Sequence, residues 1–579
     1  MEQNNARQSF EKWLAFEGLD AETRAELEAI KDNETEIVSR FYGNLTFGTA
    51  GLRGVMAAGT ARMNVYTVMQ ATQGLCHLII GENAADRGVA IAYDTRNNSK
   101  LYAECSAQVL AANGIKAYLF DGPRPTPELS FALRHLGCIA GINITASHNT
   151  KEYNGYKAYW EDGAQLPPDH ADTVCAAIEK VDIFTGVKTC ALDAAIADGS
   201  VVMIGREVDD AFLDNVYSVR LNPAGFEKAA EEMSIVYTPL HGAGWKHVPE
   251  MFDRMGFKHI AIVESQATPD GEFPTVKKPN PELADVFDPG IELAEKVGAD
   301  LVIATDPDCD RVGVMSRGKD GKFGRISGNE MGALLLDYIL AAMKEGAGIP
   351  DEPYAVKTIV STEMCVPICE HYGVKLYNVL TGFKFIGEVI KNHENLGRGS
   401  YIFGFEESYG YLKGTYARDK DAVCGAMLIA EMAAYYRLKG MTLSDALDAL
   451  FEKYGYYAES TQSIDITGHD AADKMKKITT DLRSEPPTEI CGAKVVGIGD
   501  YREGSIIDLV TGRERPTGLP SSDVLRYQLE NGDVVLVRPS GTEPKVKVYF
   551  LTSADSKAAL KEKMAVCEYE AKRLTQTLP

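Results

Sequence analysis

Short apolar runs of about five residues recur along this chain, each ending in a loop rich in Gly, Asp, Ser or Asn and followed by a stretch of helical period. Val89-Ala-Ile-Ala-Tyr93 and Ala117-Tyr-Leu-Phe120 set the pattern, with the helical stretch 100–113 between them. It returns at Ser234-Ile-Val-Tyr237, Ile260-Ala-Ile-Val263 and Leu301-Val-Ile-Ala304, and again at Tyr354-Ala-Val-Lys-Thr-Ile-Val360 and Tyr401-Ile-Phe403. Strands that alternate with helices predict α/β units. Three similar units in series are expected, and open α/β sheets gather ligands at the loops beyond the carboxyl ends of their strands.

With 579 residues the chain exceeds what one core can organise and splits into several domains. An N-terminal helical extension is expected over 1–44, with Phe10, Trp13, Leu14 and Leu19 at helical spacing. The α/β units then occupy 45–205, 206–325 and 326–455. From 456 to 579 the pattern changes to the strands Val495-Val-Gly-Ile498 and Asp533-Val-Val-Leu-Val537 and a closing helix over 554–575, a smaller α+β domain. No long Pro-, Gly- or Ser-rich linker separates the units.

A formal charge of −23 argues against a nucleic-acid partner, because phosphate backbones are held by concentrated Lys and Arg. A small anionic substrate remains compatible with that charge if a locally basic cleft receives it. No apolar run reaches the roughly 18 residues of a membrane span. The first twenty residues show no basic start with an apolar block, so a cytoplasmic protein is expected. The 11 cysteines form neither a paired framework nor a zinc-like set and read as reduced thiols.

Three segments carry the candidate chemistry. Asp306-Pro-Asp308-Cys-Asp310-Arg311 sets three carboxylates at alternate positions directly after an apolar strand. Anions this close need a cation, and hard oxygen donors suit Mg²⁺. A calcium loop of the EF-hand kind does not fit, since Arg311 and Arg317 stand where that loop needs Gly and Glu. Ile142-Asn-Ile-Thr-Ala-Ser147-His148-Asn-Thr150 offers a serine as the reacting atom, although Ser-His-Asn is also an ordinary capping sequence. A phosphate on Ser147 would carry a charge of about −2 and require a metal or basic partners. Arg538-Pro-Ser540-Gly541-Thr542-Glu-Pro-Lys545 gathers a guanidinium, two hydroxyls, a glycine and a lysine, the makings of a phosphate cradle, without the pattern of a Walker A loop. Further loops add Arg53 between glycines, Lys157, Gly382 and Lys384, and Glu406 with Ser408. Each of these is weak alone and gains weight from the others.

The order Gly-Leu-Arg-Gly, Thr-Ala-Ser-His-Asn, Asp-Pro-Asp-Cys-Asp-Arg, Gly-Phe-Lys, Phe-Glu-Glu-Ser-Tyr-Gly and Arg-Pro-Ser-Gly-Thr-Glu-Pro, over about residues 40–550, closely resembles the α-D-phosphohexomutase superfamily. Within it the chain resembles the longer bacterial phosphoglucomutases and phospho-sugar mutases related to animal phosphopentomutase. The resemblance implies four domains around a central cleft, with Ser147 phosphorylated and Asp306, Asp308 and Asp310 binding Mg²⁺ together with that phosphate. It further implies interconversion of glucose 1-phosphate and glucose 6-phosphate through glucose 1,6-bisphosphate. Arg53, His148 and Lys157 would serve phosphoryl and proton transfer, Glu406, Ser408, Gly382 and Lys384 the sugar, and Arg538, Ser540, Gly541, Thr542 and Lys545 the substrate's phosphate end, with Arg311 also binding substrate. Mannose, glucosamine and pentose phosphates are the alternative substrates, and Phe405-Glu-Glu-Ser-Tyr-Gly410 favours the glucose and pentose branch. The N-terminal extension and a long insertion over 456–530 depart from the shorter form, and contacts between copies of the chain are one use for them.

Two other readings compete. Asp306-x-Asp308 after a strand resembles the aspartate-nucleophile phosphatases of the haloacid dehalogenase type, but that leaves the Ser147 loop and the terminal cradle unused. A sugar-phosphate sensor without turnover is the second.

Overall fold

In a computed structural model the residues described are 2–48, 51–466, 471–540 and 545–576. The chain divides into two compact units, one of Met1–Arg325 with Gly410–Lys439 and the other of Ile326–Tyr409 with Gly440–Pro579.

The first unit begins with three helices, Glu2–Ala15, Ala21–Ile30 and Glu34–Phe41. The helical period of the N-terminal segment is interrupted because Asp20 caps the second helix, its carboxylate accepting from the Thr23 N–H at 2.8 Å. Phe10, Trp13, Leu27, Ile37 and Phe41 form a buried core there. The Trp13 ring meets Phe41, Tyr66 and Phe184 edge-on, and full burial of an aromatic of this size contributes about 2–3 kcal/mol.

A sheet follows in the order Gly51–Val55, Tyr153–Trp160, Ala140–Ile144, Val89–Tyr93, Ala117–Phe120, Val201–Ile204. Its last four strands run parallel, as the alternation predicts, and every residue of Val89–Tyr93 and Ala140–Ile144 is buried. The first two strands are antiparallel to their neighbours. The segments around Arg53 and Lys157 therefore lie in strands rather than loops, with Arg53 opposite Gly155 and Gly51 opposite Lys157. Glycine at 155 permits this pairing, since a Cβ would stand 2.5 Å from the Thr145 carbonyl oxygen.

The second sheet of this unit orders Val312–Arg317, Leu301–Thr305, Ser234–Thr238 and His259–Ile262, the last three parallel. The helix Ala422–Leu438, capped by Asp421, packs on the helices Phe226–Glu232 and Gly244–Arg254. It is buried from Ala422 to Tyr435, which explains why Gly410–Lys439 belongs to this unit.

In the second unit Lys375–Val379, Pro353–Thr358 and Ser400–Glu406 form a parallel arrangement with helices. The remainder is an antiparallel sheet ordered Tyr456–Asp465, Lys545–Ala554, Val534–Pro539, Leu525–Leu529, Ala493–Asp500, Ser505–Asp508, Glu514–Pro516. Three α/β domains and a β-rich C-terminal domain are thus present, as the sequence predicts. Two details differ. The expected closing helix is two, Lys557–Ala565 and Cys567–Leu574, with Val566 at the break. Much of the 456–530 insertion is strand, because Tyr456–Asp465 pairs along its whole length with Lys545–Ala554. The cysteines form no disulfide. No helix among the described residues is long and apolar enough to cross a membrane.

Candidate active site

Ser147 lies beyond the carboxyl end of Ala140–Ile144, with its backbone at φ +52°, a left-handed conformation unusual for serine. The loop is held in that shape from behind. Arg96, itself at the carboxyl end of Val89–Tyr93, donates to the carbonyls of Ser147, Asn149 (2.6 Å), Thr150 (2.9 Å) and Tyr153 (3.2 Å). Its Nε pairs with Asp94 at 3.1 Å, and Asp94 in turn accepts from Thr145 Oγ1 at 2.7 Å and Ser99 Oγ at 2.7 Å. The Asp94 oxygens and both Nη groups of Arg96 find partners of opposite kind, while Arg96 Nε is held only by its ion pair with Asp94; a network so largely satisfied rigidifies a site. Its effect is to aim the Ser147 hydroxyl outward.

That hydroxyl donates to Asp306 Oδ2 at 3.0 Å and lies 3.2 Å from His148 Nδ1. Asp306 follows Leu301–Thr305, and its other oxygen accepts the backbone N–H groups of Asp310 (3.0 Å) and Arg311 (2.9 Å), which curls the loop so that the three carboxylates converge. Oxygens of Asp306, Asp308 and Asp310 lie within 4.8 Å of one another, and all three residues are buried. Lys157 Nζ stands 2.8 Å from Asp308 Oδ2 and 3.6 Å from Asp310 Oδ2, and Lys420 Nζ stands 2.8 Å from Asp310 Oδ2. Thr126 donates its hydroxyl to Asp308 Oδ2 at 3.0 Å and its N–H to the Asp308 carbonyl at 2.8 Å.

The electrostatics follow from this crowding. Burial, with Asp310 and Asp308 adding like charge, pushes the Asp306 carboxyl well above the ordinary range. Burial opposes ionisation of Asp308 too, but the Lys157 ammonium holds it well below that range. Burial, reinforced by Arg311 and Arg53, drives His148 far below the usual imidazole value and keeps it neutral. Asp308 Oδ1 and Asp310 Oδ1 are buried without a hydrogen-bond partner among the described residues. Oxygens stranded in this way, in a convergent hard-donor set, fit a divalent cation.

Of the residues singled out from the sequence, Ser147, His148, Lys157, Asp306, Asp308 and Asp310 therefore meet in one place. Arg53 adjoins them, its Nη1 donating to Asn149 Oδ1 at 3.3 Å. Arg311 turns instead to Glu282, with which it forms an ion pair.

The remaining candidates belong to the second unit. Gly382, at φ +121°, opens the helix Phe383–Leu396 and donates its N–H to Glu406 Oε1 at 2.9 Å, tying the Gly-Phe-Lys and Glu-Glu-Ser loops together. Lys384 carries its ammonium 5.2 Å from the Phe385 ring, and burial lowers its pKa. Ser408 is partly exposed beside them. Arg538 is the last residue but one of the strand Val534–Pro539, and beyond it the Ser540 N–H donates to the Lys545 carbonyl at 2.8 Å. Gly541 and Thr542 lie outside the described residues. Buried Tyr549 has its phenol raised by burial and then by Glu407, while Arg538 and Glu406 also act on it, so the acidic loop and the basic turn are electrostatic neighbours.

Three residues of the first site escape the sequence reading: Arg96, Thr126 and Lys420. Arg96 could have been found as the third residue past an apolar strand, in Asp94-Thr-Arg96. Lys420 sits in the charged run Arg418-Asp-Lys-Asp421, more than a hundred residues from the carboxylate it meets.

Family models described as phosphoglucomutase/phosphomannomutase α/β/α domains I, II and III match residues 44–183, 210–319 and 327–454, and the C-terminal domain model matches 488–568. A phosphoglucomutase of Staphylococcus saprophyticus is 36% identical over 517 residues, 89% of this chain and 92% of that protein. One of Staphylococcus epidermidis is 37% identical over 536 residues, covering 90% of this chain and 95% of its own length. Among solved structures, the open form of the exocytosis-sensitive phosphoprotein pp63/parafusin, a phosphoglucomutase from Paramecium, shares the fold with a TM-score of 0.68 at 18% identity, covering 92% of this chain and 96% of that one. With four family domains matched in order, and two relatives above a third identity over nearly the whole chain, this protein belongs to the phosphoglucomutase/phosphomannomutase family of the α-D-phosphohexomutase superfamily.

Proposed function

We propose that this enzyme interconverts glucose 1-phosphate and glucose 6-phosphate, with Ser147 as the phosphate carrier and glucose 1,6-bisphosphate as the intermediate. The observation that carries the reading is the Ser147 hydroxyl 3.0 Å from Asp306, at the edge of three buried carboxylates, two of which bear lysine ammoniums.

In the proposed cycle phospho-Ser147 loses its phosphoryl group to the 6-hydroxyl of glucose 1-phosphate. The P–O bond to serine breaks, the P–O6 bond forms, and the hydroxyl proton passes to a base. His148, held neutral, is the candidate to accept that proton, and Lys157, an ammonium, is the candidate to supply one to the departing Ser147 oxygen. The bisphosphate then reverses in the site, its 1-phosphate returns to the Ser147 oxygen, and glucose 6-phosphate leaves. Lys157 and Arg53 offset negative charge on the group in flight. Arg96 keeps the serine aimed throughout, so little reorganisation is needed at the moment of transfer.

Asp306, Asp308 and Asp310 would hold Mg²⁺ together with the Ser147 phosphate. When bound, that ion would supply positive charge to the phosphoryl oxygens. Glu406, Ser408, Gly382 and Lys384 are assigned to the sugar. Arg538, Ser540, Gly541, Thr542 and Lys545 are assigned to the phosphate that is not transferring, so that its binding energy orients the reacting hydroxyl, and Arg311 to substrate binding. The protein is read as cytoplasmic. Glucose is preferred over mannose or pentose because the relatives at 36–37% identity carry the phosphoglucomutase name. Both oxygens of Asp306 are engaged by hydrogen bonds, which disfavours the aspartyl phosphatase reading.

The test is phosphopeptide mapping of the purified enzyme together with rates on glucose, mannose, glucosamine and ribose 1-phosphates, primed with a trace of bisphosphate. Label on Ser147 and fastest turnover of glucose 1-phosphate are expected. Label on an aspartate with net phosphate release would overturn the assignment, and a faster pentose rate would change the substrate while keeping the chemistry.

A further inference from the structure

The N-terminal helices lie outside the family models, which begin at residue 44, and none of their residues enters the site. They pack on Tyr66 and on the segment 182–184, and they also grip the loop 56–64 that continues directly from the Arg53 strand. Ala58 is 1% exposed because its methyl group belongs to the core of the helical extension, alongside Trp13 and Phe41. The Ala58 N–H donates to Glu26 Oε2 at 2.9 Å, and the other oxygen of Glu26 pairs with Arg40. The Arg40 carbonyl accepts the Ala61 N–H at 3.0 Å, and Arg62 reaches Ser39 Oγ at 2.7 Å. Gly59, at φ +133°, passes so near that a Cβ would stand 2.7 Å from the Arg40 carbonyl oxygen.

The loop transmits this grip to the strand. Met63 donates to the Val55 carbonyl at 3.0 Å, and Met56 bridges Met63. The Arg53 strand is the edge of its sheet, with the Lys157 strand on its inner side only. An edge strand held on one side has freedom to shift along or away from its neighbour. Here the extension supplies the second hold.

We infer that the N-terminal helices are a strap that fixes the Arg53 strand, and that Glu26 is its positioning residue. The inference rests on the proposed role of Arg53 in phosphoryl transfer. Glu26 touches no reacting group and acts through the backbone, so its loss would misplace the Arg53 guanidinium relative to the Ser147 loop.

A double-mutant cycle tests it, using the full-length enzyme with glucose 1-phosphate and bisphosphate. Glu26→Ala is expected to lower kcat about tenfold with KM little changed, because a small misplacement of a charge-stabilising group costs rate rather than ground-state binding. Glu26→Gln keeps an acceptor for the Ala58 N–H and is expected to recover most of that loss. In an Arg53→Ala background Glu26→Ala is expected to cost less than about twofold more, the signature of two residues acting through one another. Multiplicative losses in the double variant would overturn the strap while leaving Arg53 in its role. An Arg53→Ala enzyme with unchanged kcat would overturn the role of Arg53, and the strap with it. Should Glu26→Ala fail to fold, Glu26→Asp, too short to reach Ala58 while still charged toward Arg40, takes its place in the same cycle with the same criteria.

Discussion

Lys157 and Asp308 meet at 2.8 Å, the one projecting from an antiparallel strand of the first α/β domain and the other from the metal-type loop of the second. The pair joins the two domains at the point where phosphoryl chemistry is proposed. It also means that Lys157 already has an anionic partner before substrate arrives, so any substrate phosphate must compete with a carboxylate for the same ammonium.

Ser147→Ala removes the hydroxyl and leaves the Arg96 hub intact, since Arg96 binds the backbone carbonyl of residue 147 rather than its side chain. The variant should fold with an unchanged melting temperature and lose mutase activity by about 10³-fold or more. Coupled assays with glucose 1-phosphate and intact-mass measurement of the phosphorylated fraction check both halves. Retained activity would remove Ser147 from the mechanism.

Lys420→Ala leaves Asp310 buried beside two other carboxylates with one ammonium fewer. Removing one partner of a buried pair costs about 3–5 kcal/mol. The variant should therefore be destabilised most in EDTA, with Mg²⁺ restoring more of its melting temperature than it does for wild type. Because the site has become more negative, the Mg²⁺ concentration for half-maximal stabilisation should fall. A tighter cation and a slower enzyme are the expected combination. Unaltered Mg²⁺ dependence by scanning fluorimetry would argue against electrostatic coupling.

Gly242→Ala probes the backing of the carboxylate loop. A Cβ there would stand 2.5 Å from Pro307 Cα and 2.9 Å from the Asp306 carbonyl oxygen, so the loop must move. Overpacking of this kind costs about 1–3 kcal/mol. A lowered melting temperature with weakened Mg²⁺ dependence of activity is expected from thermal unfolding and metal titration. A drop in stability alone would show that the loop yields as a rigid body.

Glu459 gives a pH prediction away from the site. Burial pushes its carboxyl up to about 7 from 4.5, and its Oε1 has no hydrogen-bond partner among the described residues. Between those values the folded chain holds a proton that the unfolded chain has released, so this group's contribution makes stability fall as pH rises toward 7 and stay low above it. Glu459→Gln, neutral at every pH, should raise the unfolding midpoint at pH about 8 more than at pH about 5. Chemical denaturation at the two pH values measures the difference, and an equal effect at both would mean that Glu459 is ionised throughout the fold.

The architecture was legible because its signal is local. Buried parallel strands such as Val89–Tyr93 and Leu301–Thr305 announce themselves as apolar runs, and the loops at their carboxyl ends carry Asp94, Ser147 and Asp306. Arg53 and Lys157 were legible as residues but not as strand positions. Their strands contain Gly51, Gly54, Asn154 and Gly155, which propensity assigns to turns, and only the neighbouring strand makes them extended. Lys420 and Arg96 were missed for another reason, since their meaning lies in partners distant in sequence. Tyr456–Asp465 likewise acquires its strand character from pairing with Lys545–Ala554, an interaction that no local pattern records.

The passage of Gly410–Lys439 back into the first unit has a consequence for dissecting the enzyme. A fragment ended at Arg325 would lack the helix that covers Phe226–Glu232 and Gly244–Arg254, exposing apolar faces to water, and would leave Asp310 without Lys420. A cut at the obvious midpoint therefore produces an incomplete folding unit. A soluble first half would need residues 410–439 joined to Arg325 by a short linker, a gene with an internal deletion rather than a truncated one.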